Sequence, residues 1–190
     1  AGTDGDIMEL VFSGLMKHKG NGEIVPDLAK EMPTITEEGR VYEVYLKDDI
    51  FWHDGEEVTA DDIIFTIRTI QNSDFKSPLR TYWLEIETEK ISDKGIRFRL
   101  KNSYAGFLER LTLKILPAHI WQNISAEKFP LSIRNLKPVG SGPYKVKDLK
   151  QDDFGSITSL TLTSFDDYYG NKPYIPDISF QFFEKEDDLI

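Results

Sequence analysis

At 190 residues, 39% hydrophobic and 12% aromatic, without a low-complexity segment, the chain is long and apolar enough to bury a core in one or two compact units. Its 33 acidic against 23 basic side chains give a net charge of −10, which argues against a nucleic-acid surface of clustered Lys and Arg and disfavours an anionic membrane surface. Cysteine is absent, which removes disulfide and thiolate chemistry, and no apolar run approaches the roughly eighteen residues of a membrane helix.

The first residues, AGTDGDIMEL, lack the charged start and apolar middle of a signal peptide, so the chain is read as beginning after any export signal. Residues 6–16 carry Ile7, Leu10, Val11 and Leu15 at helical spacing and predict a short amphipathic helix. A turn in KGNGE follows at 19–23, and Val25-Pro26-Asp27 is expected to open another short helix. VYEVYL at 41–46 predicts a strand.

Asp54-Gly55 is a strong turn dipeptide, because glycine accepts a positive φ and aspartate can bond the backbone two residues on. Thr59 then caps a helix in which Asp62 faces the exposed N-terminal amides, while Ile63, Ile64, Ile67 and Ile70 recur on one face. Residues 79–89 read as extended and aromatic-rich, and GIRFRL at 95–100 as a half-buried strand; with 41–46 these are expected to share one antiparallel or mixed sheet.

Phe107, Leu108 and Leu111 mark an apolar run over 104–116, and Pro117 starts a short helix through Trp121. Turn formers crowd 138–143 before a strand resumes at 144–146. Alternation at 159–164 and 178–183, separated by DDYYGNKPYIP, predicts a separate small sheet. EKEDDLI at 184–190 reads as the first turn of a helix, acidic at its positive end and cut off before an apolar face develops.

KDDIFWHDGEEVTADDIIFTIRTI at 47–70 closely resembles the signature of the family 5 extracytoplasmic solute-binding proteins, the peptide and dipeptide receptors of ABC importers. LVFSGLMKHKGNGEIVPDLAKE (10–31), PVGSGPYKVKDLK (138–150) and LTSFDDYYGNKPYIPDISFQFF (162–183) match in the same order. With YAGFLERLTLKILPAHIW (104–121), the resemblance spans nearly the whole chain.

The resemblance implies a mixed α+β fold of the type II periplasmic-binding-protein kind, present in part. Residues 1–14 would be the first segment of lobe I, 15–135 an inserted sheet-and-helix domain, and 136–190 the return to lobe I, with further chain supplying the opposing lobe. It implies binding of extended peptides by closure of two lobes and docking of the closed form on the permease subunits of an ABC transporter. The implied location is extracytoplasmic, in the periplasm or on the outer face of the cell membrane, with either a cleaved signal or a lipid-anchor Cys upstream of Ala1, and the 190-residue fragment is expected to be monomeric. Relatives that bind oligosaccharides or metal complexes give the alternative ligand classes.

Catalytic chemistry finds little support. His18, His53 and His119 show no metal-ligand spacing, no cofactor motif is present, and His53 beside Asp54 reads as part of the turn. Asp61 and Asp62 diverge by about 100° on a helix, so a hydrolase using Asp61 or Asp166 lacks convergent carboxylates. Gly140-Ser141-Gly142 has neither the Gly-Lys-Ser/Thr ending of a phosphate loop nor the first glycine of a nucleophile elbow, and is read as a tight crossover between lobes.

Trp52, Phe65, Phe98 and Phe107 are expected in the core. Leu79, Tyr82 and Trp83 follow a proline-containing loop, and the resemblance puts the position of Leu79 near the ligand-facing side; core packing is the competing reading for all three. A Tyr82 and Trp83 stacking platform would favour sugar. By the same resemblance Thr3 and Asp4, just before the LVFSGL helix, run along the cleft, against the simpler reading of a frayed terminus.

Overall fold

The computed structural model describes residues 3–183, and a predicted helical turn at 184–190 lies outside them. The central feature is a four-stranded antiparallel sheet in the order β3-β4-β6-β5, from Thr34–Thr36 (β3), Val41–Tyr45 (β4), Ile86–Ser92 (β5) and Gly95–Leu100 (β6). Alternation sets its register: Tyr42 pairs with Phe98 and Val44 with Ile96, all four buried. On the opposite face Arg97 bridges Glu43 at 2.7 Å and Glu89 at 2.9 Å.

Helix α2, Ala60–Gln71, lays Ile63, Ile64, Ile67 and Ile70 into the same core, as its 3.6-residue spacing predicts. Phe107 lies at the centre, fully buried, with ring centroids of Tyr42 at 4.7 Å, Phe98 at 5.6 Å and Trp83 at 6.2 Å. Trp52 is also fully buried, whereas Phe65 is only half-buried.

Asp62 organises the start of α2. One carboxylate oxygen accepts the backbone N–H of Thr59 at 2.9 Å and the indole N–H of Trp52 at 3.4 Å; the other accepts the N–H of Ala118 at 2.7 Å. The cap predicted from local spacing thus also ties the helix to Trp52 and to α5, Ala118–Trp121. Burial pushes the Asp62 pKa up, opposed by the hydrogen bonds from Thr59, Ala118 and Trp52.

A second, three-stranded antiparallel sheet runs β7-β8-β9, from Tyr144–Gln151, Ile157–Ser164 and Asp177–Gln181. It is the small sheet expected from the late alternation. Helix α1, Thr3–Val11, packs on it, so Val11 shares a smaller core with Tyr144, Leu160 and Leu162. No helix among the described residues is long and apolar enough to cross a membrane.

Three local expectations differ from the structure. The first helix stops at Val11 instead of running to residue 16, because the backbone beyond it bonds elsewhere: Ile115 N–H donates to Ser13 O at 3.0 Å and Met16 N–H to Leu111 O at 2.9 Å. Gly14 permits that approach, since a Cβ there would lie 2.7 Å from Thr112 O. The same pairing limits the helical part of the 104–116 run to α4, Phe107–Arg110.

The helix expected from Val25-Pro26-Asp27 is instead β2, Ile24–Pro26, paired antiparallel with β1, Met16–His18. The 79–89 stretch is not extended throughout: it opens with α3, Arg80–Trp83, before β5 begins. Gln71 causes this bend by donating from Nε2 to Trp83 O and Ile86 O, both at 2.8 Å. None of these partners is local, so periodicity alone could not find them.

Substituting Asp62→Ala would leave a buried indole N–H and two part-buried backbone N–H groups without their acceptor. Urea unfolding is expected to show a loss of about 3 kcal/mol, with Asp62→Asn losing less because it retains an acceptor.

Candidate ligand-binding site

The segment 138–143 passes backbone against backbone beside the smaller core. Gly142 N–H donates to Val11 O at 2.9 Å, and a Cβ at Gly140 would lie 1.9 Å from that same oxygen. At Gly142 a Cβ would lie 2.5 Å from Leu10 O. Glycine is needed here because two backbones touch.

His53 closes this crossover from the other side. Its backbone N–H donates to Gly140 O at 2.9 Å, its Nδ1 accepts from Gly140 N–H at 3.1 Å, and its Nε2 lies 3.0 Å from Gly142 O. Accepting at Nδ1 and donating at Nε2 requires the neutral imidazole with its proton on Nε2. Burial drives the pKa from 6.5 to about 4; the Gly142 carbonyl opposes the shift, nearby Lys145 adds to it and Asp54 counters. The Phe165 ring meets the imidazole edge-on at 4.9 Å.

Sequence reasoning placed His53 in a turn and missed this role, for which only the shared presence of HDG and GSG could have served as a signal. Between the two glycines Ser141 is fully buried, and its hydroxyl has no hydrogen-bond partner among the described residues.

A second tie comes from DDYYGNKPYIP, read from sequence only as the connection between the two late strands. Asp166 and Asp167 are exposed, but the Tyr169 hydroxyl reaches Asp27 Oδ1 and Ser13 Oγ, each at 2.8 Å. Asp27 is buried and paired with Lys17 at 3.0 Å, while Lys47 sits 4.9 Å from the Tyr169 ring centroid. Burial raises the Tyr169 pKa, with the Asp27 charge adding to it, so the phenol stays protonated and donates to the carboxylate. Tyr169 and His53 therefore hold the later sheet against the earlier one.

A groove of about 870 Å³ opens between α1 and the rest of the molecule, with Ile7, Met8, Ile70, Trp121, Leu160 and Phe182 among its walls. Asp4 lines it as well, placing one expected ligand-facing residue on a concave surface. Thr3 begins α1; its side chain is outside the description.

Leu79, Tyr82 and Trp83 do not line the groove. Trp83 is 3% exposed, packed against Phe107, whereas Tyr82 is 58% and Leu79 39% exposed. The structure therefore separates the two expected regions and puts Trp83 in the core. The burial also removes half of the stacking platform that would have favoured a sugar.

This combination of a mixed sheet-and-helix unit, a glycine-pinned return crossover and a concave surface beside α1 matches the class of extracytoplasmic solute-binding proteins. Residues 23–190 match the family model of bacterial extracellular solute-binding proteins, family 5 Middle. The chain belongs to that family.

Among its relatives, the oligopeptide-binding protein AppA of Bacillus subtilis is 31% identical over 180 residues, covering 93% of this chain and 32% of that protein. The dipeptide-binding protein of Escherichia coli is 26% identical over 192 residues, covering 90% and 35%. The structure of B. subtilis AppA in complex with a nonapeptide matches 100% of this chain and 37% of its own, with a TM-score of 0.88 at 27% identity. NikZ from Campylobacter jejuni in complex with Ni(L-His) matches 93% and 34%, with a TM-score of 0.83 at 30% identity. The chain spans about a third of the length of these curated relatives.

Two measurements probe the crossover. Between pH 6.5 and about 4 the unfolded chain binds a proton at His53 that the folded chain refuses, so the histidine's stabilising share, present above pH 6.5, is lost as pH falls towards 4. The loss is expected to reach about 3 kcal/mol, and His53→Leu is expected to be less stable at pH 7 with a flatter stability profile across that window. Gly140→Ala forces a Cβ against the Val11 carbonyl; chemical denaturation is expected to show a loss of about 3 kcal/mol or more.

Proposed function

We propose that this chain forms one wall of the substrate-binding component of an ABC transporter, which takes extended peptides for import by closing two lobes around them. The observation that carries this reading is the match of the whole chain to a nonapeptide-bound receptor of which it covers only about a third. Main-chain recognition with hydrated side-chain pockets suits broad peptide binding. The opposing wall and the permease are its partners, in an extracytoplasmic location: the periplasm, or the outer face of the cell membrane with anchoring through a lipid-bearing Cys upstream of Ala1. The 190-residue chain by itself is taken as a monomer.

The proposed division is 1–14 and 136–190 in lobe I with 15–135 inserted between them, and the two separate hydrophobic clusters support it. Asp4 and Thr3 at the start of α1, and Leu79 and Tyr82 on the inserted part, are the proposed ligand-facing residues, with Trp83 buttressing them from the core. Gly140, Ser141 and Gly142 form the crossover between the parts.

We assign no catalytic step. Asp61 is held by Lys90 at 2.7 Å and Asp166 is paired with Lys172, so the carboxylates a hydrolase would use are engaged in separate ion pairs.

Native mass spectrometry of the receptor carrying both lobes, beside residues 1–190 alone, tests the reading. A heterogeneous set of peptide masses on the two-lobed form, weak or absent on the single wall, is the expected result. A single uniform adduct of nickel complex or sugar mass would replace the peptide assignment.

A further inference from the structure

Arg110 stands apart from the paired arginines of the sheet. Arg97 and Arg99 each meet glutamate carboxylates, whereas among the described residues Arg110 has no carboxylate within salt-bridge distance, in a chain with ten more acids than bases. The acids next to this patch in sequence are engaged elsewhere: Glu109 with His18 at 3.0 Å and Glu85 with Lys101 at 3.0 Å.

The Arg110 guanidinium is nevertheless held in place. Its carbon lies 4.5 Å from the Tyr104 ring centroid and 5.8 Å from that of Tyr82, and Nη1 donates to the Tyr82 carbonyl oxygen. Ring faces steady the charge without saturating its N–H groups, leaving donors of the planar fork for an incoming acceptor. Tyr82 and Tyr104 are 58% and 47% exposed, and the exposed Leu79 and Leu84 flank the same short helix α3. A pre-oriented, unpaired guanidinium with aromatic and aliphatic neighbours suits a carboxylate beside an apolar side chain.

We propose that Arg110, steadied by Tyr82 and Tyr104, binds the C-terminal α-carboxylate of a peptide, with Leu79 and Leu84 receiving its last aliphatic side chain. The choice of a peptide as ligand rests on the proposed function; the carboxylate chemistry does not.

The test is an NMR titration of the 15N-labelled chain, following the Arg110 Nε–Hε signal. The probes are acetate, acetyl-Ala-Ala-Leu as free acid, the same peptide as its amide, and acetyl-Ala-Asp-Leu amide. The free acid is expected to shift the signal saturably and bind at least tenfold more tightly than its amide. In the variants, which lack that signal, the backbone amides of Tyr82 and Tyr104 are followed instead: Arg110→Gln is expected to abolish the acid–amide difference with the backbone spectrum of the free chain otherwise unchanged, and Arg110→Lys to restore only part of it because the fork is lost.

Equal binding of acid and amide, or no saturable shift with any carboxylate, overturns the site. Binding of the aspartyl amide as tight as that of the free acid overturns the terminal assignment in favour of side-chain carboxylates. If the two-lobed receptor carries no peptides while acetate and the free acid still saturate Arg110, the carboxylate site stands and the peptide function fails.

Discussion

The contact of Gly140 and Gly142 with the carbonyls of Leu10 and Val11 is the constraint on which the arrangement depends. Two segments separated by well over a hundred residues meet backbone to backbone, closer than any side chain would allow. His53 completes the closure by bonding both glycines, which it can do only as a neutral, oriented imidazole. The strand β7, the smaller sheet and its packing on α1 all follow from where this crossover delivers the chain.

Buried carboxylates carry the remaining long-range order. Asp62 gathers Trp52, the start of α2 and the start of α5, while Asp27 gathers Lys17 and Tyr169 from opposite ends of the chain. A buried charge that loses its partners costs more than the pair contributes, so such groups act chiefly by penalising other arrangements. Their value here is in specifying which segments meet.

With the scaffold held by ties on both sides of the crossover, the proposed recognition falls to what it leaves exposed. Asp4 borders an apolar groove, and the Arg110 cluster presents a charge that meets no carboxylate among the described residues. These are separate surfaces of a chain that spans about a third of its relatives' length.

Local patterning determined much of this protein. The Asp54-Gly55 turn, the Asp62 cap, the isoleucine face of α2, the alternation of β4 and β6 and the late small sheet were all legible, because each rests on neighbours within a few residues. The ordered motifs added the family, and the glycine spacing of the crossover marked it as special. Only the tertiary structure decided where α1 ends, that Ile24–Pro26 is a strand, and that Trp83 is buried while adjacent Tyr82 is exposed. It alone revealed the clamps of His53 and Tyr169 and an Arg110 with no carboxylate partner among the described residues. In each of these the deciding partner lies far along the chain or on another element, where local spacing carries no information.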